Sequence, residues 1–368
     1  MITELLLKEI TDGRNGTNQG FSTGLTKLDD IIDGVTKNTS TLIFSTSGSG
    51  KTTFVLYSYI YRPLMESLED DKFKVIYFSM EMNAELLLAK LLSIYIWETY
   101  KKQLSLKELL SRKKNYILSE EDYNLVLNSV DWLNKIEKKL IIYDKPVNAE
   151  IVYSFVMKHL EKDGQFYETE HSKKYTPKNK EQIVLVVLDH LSLCRPSKGR
   201  NLKEEIDLIS SYLVTLRNIS GISPVLIMQT NRSQSSMDRR KEGMTSLSLN
   251  DTKDSGGPVQ DSEIVLSINN PFRDKLASYR GYDLKKLKSN FRSIEVLKSR
   301  YGEANIEVGC AFYGKIGIFK ELPLPDEIYD YAKYETPEWC LPDNKELDNK
   351  ESDNKEQTDN NISYKFTL

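Results

Sequence analysis

The chain has 368 residues, 39% hydrophobic and 29% charged, with a formal net charge of −3. That balance suits a folded protein with an ordinary polar surface, and it gives no sign of a chain held on nucleic acid by overall charge. Three widely spaced cysteines beside three histidines leave no case for a disulfide framework or a zinc site, and no run approaches the roughly 20 apolar residues needed to span a bilayer. The first ten residues lack the basic start and long apolar stretch of a signal peptide, so a cytoplasmic setting without a membrane partner is expected.

In chain order, Leu5, Leu6 and Ile10 predict a short amphipathic helix, and a Gly/Asn-rich linker follows over residues 12–20. A helix this short does not hold itself together in water, so its apolar stripe calls for a partner surface. From there β-like runs alternate with helical stretches: 41–44, 74–79, 140–143, 183–188, 224–228 and 263–268. Several are unbroken Val/Ile/Leu runs, the pattern of strands covered on both faces of a parallel sheet. The fold class predicted is α/β, a mostly parallel central sheet with helices on both faces. Beyond Arg292, runs at 293–298, 306–313 and 316–319 separated by Gly-containing turns predict an antiparallel C-terminal edge.

Two stretches read as insertions: 98–139, helical and highly charged, and 161–181, polar and expected to be a mobile loop. After Pro342, Asp-Asn-Lys-Glu recurs at Asp343, Asp348 and Asp353, a segment with almost nothing to bury. The division expected is an N-terminal assembly helix and linker (1–19), one large domain (20–322) and an acidic disordered tail (323–368).

The densest chemistry lies at residues 45–52, Ser-Thr-Ser-Gly-Ser-Gly-Lys-Thr, between the run at 41–44 and a helix-compatible run from Thr52. A strand, a glycine-bearing loop and a helix start present backbone N–H groups to a phosphate, so Ser47, Gly48, Ser49, Gly50, Lys51, Thr52 and Thr53 are assigned to a nucleoside triphosphate. Lys51 reaches the β- and γ-phosphates, and the Thr52 hydroxyl joins the shell of a bridging Mg²⁺. The loop opens with Ser45 where glycine is usual, which restricts the backbone at that turn.

The run at 183–188 delivers Asp189 to the C-terminal edge of a buried strand, the position of a carboxylate holding the metal's water shell. The run at 74–79 delivers Glu81 in the same way, a candidate base to orient and polarise attacking water. The run at 224–228 delivers Gln229, an amide able to sense the γ-phosphate. His190, beside Asp189, reads as a packed ring. Basic side chains follow two of these strands on loops suited to a phosphate backbone: Arg195, Lys198 and Arg200, then Arg239 and Arg240.

Together the blocks at 21–29, 45–52, 77–82, 187–191, 229–233 and 251–261 resemble the ATPase domain of DnaB-type replicative helicases, RecA-like hexameric motors, over roughly residues 20–321. The resemblance implies a RecA-like P-loop ATPase core, ATP and Mg²⁺ as cofactors, single-stranded DNA as partner, and translocation from 5′ to 3′ as a homohexameric ring. Lys253, Asp254 and Gly256 match the family's DNA-facing segment. Lys298 and Arg300 match its Lys-x-Arg element, whose arginine reaches the nucleotide of the adjacent subunit. Residues before 20 leave no room for the family's N-terminal collar, and Pro258 interrupts the DNA-facing block. A polymerase, primase or single-strand binding protein is a possible partner for the tail. A recombination ATPase of the RecA/RadA kind, or a nucleotide-switched scaffold or loader, are alternatives.

Overall fold

A computed structural model describes residues 2–16, 18–168, 173–230, 246–252 and 256–340. Its centre is a nine-stranded sheet. The strands β1 (Thr41–Ser45), β2 (Phe73–Ser79), β3 (Leu140–Tyr143), β6 (Ile183–Asp189), β7 (Ser223–Gln229) and β8 (Ile264–Asn269) run parallel, while β11 (Phe291–Ser299), β12 (Ile306–Tyr313) and β13 (Ile318–Glu321) add an antiparallel edge beside β8. Their order across the sheet is β13-β12-β11-β8-β1-β7-β6-β2-β3.

The unbroken apolar runs have a direct explanation in packing. Ile43, Val75, Tyr77, Leu185, Val187, Val225 and Ile227 face one core with the helix Ala84–Tyr100, and Leu42, Phe44, Ile76, Phe78, Val186, Leu188, Leu226 and Met228 face a second with the helices Ala149–Asp163 and Leu202–Ser220. Successive side chains point to opposite faces and both faces are covered, so alternation disappears from the sequence. The parallel strands end together: Ser45 lies opposite Gln229, and Ser79 opposite Asp189. This edge is where an open α/β sheet gathers its ligands.

Two expectations are corrected. Within 161–181 the chain is not a loop but a hairpin, β4 (Gly164–Glu168) against β5 (Lys173–Pro177), because Phe166 and Tyr175 pack together on the second core and the Tyr175 hydroxyl donates to the Leu160 carbonyl at 3.0 Å. The tail does not begin at 323. Short 3₁₀ turns at Pro325–Glu327, Tyr331–Tyr334 and Pro337–Cys340 lie on the first core, with Ile328 and Tyr334 buried and the Tyr313 hydroxyl donating to the Tyr334 carbonyl at 2.7 Å. Widely spaced apolar side chains do this in a stretch whose average composition is polar.

Short β9 (Ser278–Tyr279) and β10 (Tyr282–Asp283) form a separate ribbon. The 98–139 stretch holds the end of the Ala84–Tyr100 helix and the helices Leu106–Leu109, Glu120–Asn128 and Val130–Lys139. Among the described residues no helix is long and apolar enough to cross a membrane.

Candidate nucleotide site

The phosphate loop follows β1 without a break, and Gly50 caps a helix that begins at Lys51. Gly48 (φ +73°) and Gly50 (φ +102°) occupy the left-handed region. A side chain there is strained, so the loop's path depends on these two glycines. Lys51 is 9% exposed, and its ammonium donates to the Ser45 carbonyl (3.1 Å), the Ser45 hydroxyl (3.1 Å) and the Thr46 carbonyl (3.2 Å). Burial pulls Lys51 down to about 8, with Asp189 and Glu81 opposing. Ser45, which replaces the usual glycine, thus serves as an extra acceptor for the lysine.

Asp189 is 2% exposed at the end of β6. Its Oδ2 accepts the Tyr77 hydroxyl at 2.7 Å, and its Oδ1 is buried without a hydrogen-bond partner among the described residues. Burial raises the carboxyl's pKa, while Tyr77 and the Thr52 hydroxyl pull against it. A buried carboxylate oxygen left over beside a helix-start hydroxyl is a donor set that fits the hydrated shell of a hard divalent cation. Glu81 is exposed just beyond β2 and acts electrostatically on Lys51, Asp189 and His190, so it faces the same space. The Nδ1 of His190 is buried and has no partner among the described residues, so this ring is packed but not satisfied there.

Arg300 sits elsewhere. Ser299 pairs with Ile264, at the start of β8, so Arg300 emerges at the opposite edge of the sheet from the phosphate loop. Its Nη1 lies 3.2 Å from Glu263 Oε1, its side chain is 52% exposed, and Glu263 is also held by Arg217 and by the Ser40 N–H. The length of β8 separates the two edges by about 16 Å at ~3.3 Å per residue. Lys298 points to the C-terminal end of the helix Gly257–Asp261, donating to the Val259 carbonyl at 2.8 Å and the Gln260 carbonyl at 3.1 Å.

The profile of the family described as "DnaB-like helicase C terminal domain" matches residues 20–321. The chain belongs to this family. It is 27% identical over 299 residues to a replicative DNA helicase DnaB of Helicobacter pylori, covering 81% of this chain and 50% of that protein, and 26% identical over 281 residues to the DnaB of a second strain, covering 76% and 47%. The chain therefore spans about half the length of these relatives. Among solved structures, one described as an ATPase domain matches with a TM-score of 0.66 at 20% identity over 88% of this chain and 99% of that one. A DnaB-like replicative helicase, described with its interactions with primase, matches at 0.64 and 20% identity over 87% and 67%. The fold is the RecA-like ATPase fold of DnaB-like helicases.

Within this DnaB-like domain the basic residues divide. Arg195 and Lys198 are exposed after β6. Arg200 is bound instead to Glu150 at 2.6 Å and to the fully buried Glu205 at 3.2 Å, and Glu205 also accepts the N–H groups of Ala149 and Ser197. Arg200 braces its loop through these two carboxylates. Arg239, Arg240, Lys253 and Asp254 lie outside the described residues, and Gly256 leads into the helix Gly257–Asp261.

Three of four further neighbours of the site lie outside every motif. Tyr77, Lys90, Arg273 and Arg292 all act on it, and only Tyr77 lies in a block that the sequence singles out. Lys90 is half-buried on the helix Ala84–Tyr100, lowered by burial and raised by Asp189 and Glu81.

Proposed function

We propose that the chain is the motor of an ATP-dependent replicative DNA helicase, a homohexameric ring that moves 5′ to 3′ on single-stranded DNA and hydrolyses ATP between subunits. The observation that supports this reading is the position of Arg300: half-exposed, about a strand's length of 16 Å from its own phosphate loop at ~3.3 Å per residue, and so out of reach of the phosphates its own chain would hold. Residues 47–53 grip the phosphates through backbone N–H groups and Lys51. Mg²⁺, with Thr52 and Asp189 as its protein partners, neutralises charge on the phosphates when bound. Glu81 orients the water and accepts its proton, and Gln229 reports the γ-phosphate. Arg300 from the neighbour stabilises charge on the transferring phosphoryl group, so turnover depends on assembly.

Chemistry at the interface needs subunits held in register. The N-terminal helix Ile2–Arg14 exposes Leu6, Leu7 and Ile10, each at least half open to solvent, a stripe suited to a neighbouring subunit. Deleting residues 1–14 is expected to lower the assembly state seen by sedimentation, and unchanged hexamers would remove that claim. Exposed Arg195 and Lys198, with the basic segments beyond β7, supply non-specific contacts to the strand's phosphates.

The test is ATP hydrolysis with and without single-stranded DNA, together with unwinding of a forked duplex. Wild type is expected to hydrolyse faster with DNA and to unwind, and Lys51→Ala to do neither. Turnover indifferent to DNA and to Glu81→Gln would instead favour a nucleotide-switched scaffold.

A further inference from the structure

The backbone of the phosphate loop is bonded by two arginines that, among the described residues, have no acidic partner. Arg292, at the start of β11, is 4% exposed. Its Nε donates to the Ser49 carbonyl at 2.6 Å, its Nη1 donates to the carbonyls of Ser289 (2.7 Å) and Phe291 (2.6 Å), and its guanidinium lies 4.6 Å from the centre of the Phe312 ring. Arg273, exposed on the turn Pro271–Asp274 after β8, donates through Nη1 to the Ser47 carbonyl and occupies the space into which a Cβ on Gly48 would project. Among the described residues neither arginine forms an ion pair with a carboxylate. Burial pulls the Arg292 guanidinium down to about 10, and the like charge of Arg273 adds to the shift.

Such an arrangement is costly by itself. Buried charges are normally paired, and like charges side by side repel. It becomes intelligible through peptide geometry. In a trans peptide the carbonyl of one residue and the N–H of the next point in opposite directions. Drawing the Ser47 and Ser49 carbonyls outward toward arginines turns the N–H groups of Gly48 and Gly50 the other way, into the loop's concavity.

We propose that Arg292 and Arg273 form a cationic clamp in cis, which fixes the phosphate loop in its anion-binding orientation and finds its counter-charge in the bound nucleotide's phosphates. This rests on the nucleotide-binding reading of the loop. Arg292 is a positioning residue: its contact is with the loop's backbone, and its charge acts through that backbone. It stands at the opposite end of β11 from Lys298, so the strand that leads to the intersubunit arginine is anchored at its other end to the chain's own phosphate loop.

The experiment is ADP binding to the full chain by fluorescence of a labelled ADP, with thermal unfolding in the presence and absence of ADP. Variants are Arg292→Met, Arg292→Lys, Arg273→Gln and Lys51→Ala. Arg292→Met is expected to weaken ADP by about tenfold or more, as for loss of a charge-assisted contact, and the loss shrinks as salt rises. Because it removes a buried unpaired charge, the same change leaves the midpoint without ADP unaltered or higher while reducing the upward shift that ADP gives. A purely structural role predicts the reverse, a lower midpoint with ADP affinity intact. Arg292→Lys recovers part of the affinity, and Arg273→Gln weakens it by about threefold because that side chain is exposed.

Affinity within about twofold of wild type in Arg292→Met and Arg273→Gln overturns the clamp, a difference too small for a charge-assisted contact. If Arg292→Met does not fold, Arg292→Lys and Arg273→Gln decide, and wild-type affinity in both overturns it. Wild type that fails to bind ADP, or Lys51→Ala that binds as well as wild type, defeats the nucleotide reading and the clamp together. Wild-type binding that depends on Lys51 but ignores the arginines defeats the clamp alone.

Discussion

Lys51 is bonded to the carbonyls of its own loop, and burial brings it down to about 8. Since the unfolded lysine titrates near 10.5, the native chain binds fewer protons between the two values, and stability contributed by this group rises with pH across that window. The ligand has the opposite preference, because phosphates need the ammonium. ADP affinity is therefore expected to fall above pH 8, by up to about tenfold per pH unit for one linked proton, with proton uptake on binding. Calorimetry in buffers of different ionisation enthalpy checks this, and a flat profile from pH 7.5 to 9.5 would contradict it.

Other side chains divide in a similarly testable way. Glu81→Gln should lower turnover by about 100-fold or more, the usual contribution of a positioned base, while leaving ADP affinity intact. Arg195→Ala and Lys198→Ala should each reduce the salt slope of single-stranded DNA binding by about one without moving the thermal midpoint. Arg200→Ala should do the converse, because its partner Glu205 is fully buried. The sequence makes these three cations look alike. Only the position of Glu150 and Glu205 separates them, and neither carboxylate is near Arg195 or Lys198 in any way that spacing reveals. Arg292 and Arg273 were illegible for a related reason: each is a single arginine contacting a backbone more than 200 residues away.

Strands buried on both faces are the most readable elements here. Runs such as Leu185 to Leu188 must be unbroken when one residue feeds one core and the next feeds the other. The hairpin β4–β5 and the segment 325–340 were hidden because a few aromatic or aliphatic contacts decide them inside polar surroundings. Their weight can be measured. Tyr334→Ala should destabilise the domain by about 3 kcal/mol, since it empties a buried aromatic site on the first core. Removing residues 341–368 should leave the urea midpoint unchanged. A wild-type urea midpoint in Tyr334→Ala would mean that this side chain contributes nothing to the core. Around β11, Lys298 ties this strand to the helix Gly257–Asp261 through the Val259 and Gln260 carbonyls.

At the scale of the whole molecule, the RecA-like sheet puts the proposed nucleotide site and the proposed intersubunit arginine at opposite edges. Lys51, Thr52, Asp189 and Glu81 gather at the C-terminal edge, and Arg300 leaves from the other beside Glu263. A single chain cannot close that gap, whereas head-to-tail copies in the proposed ring would do so at every interface. The direct measurement is ATP hydrolysis by Lys51→Ala and Arg300→Ala, each alone and mixed before assembly. Each alone is expected to be inactive. In a random equal mixture roughly one interface in four joins an intact Lys51 to an intact Arg300, so DNA-stimulated hydrolysis should reappear. A mixture as inactive as its two components, in rings verified to contain both, would contradict a site shared between chains.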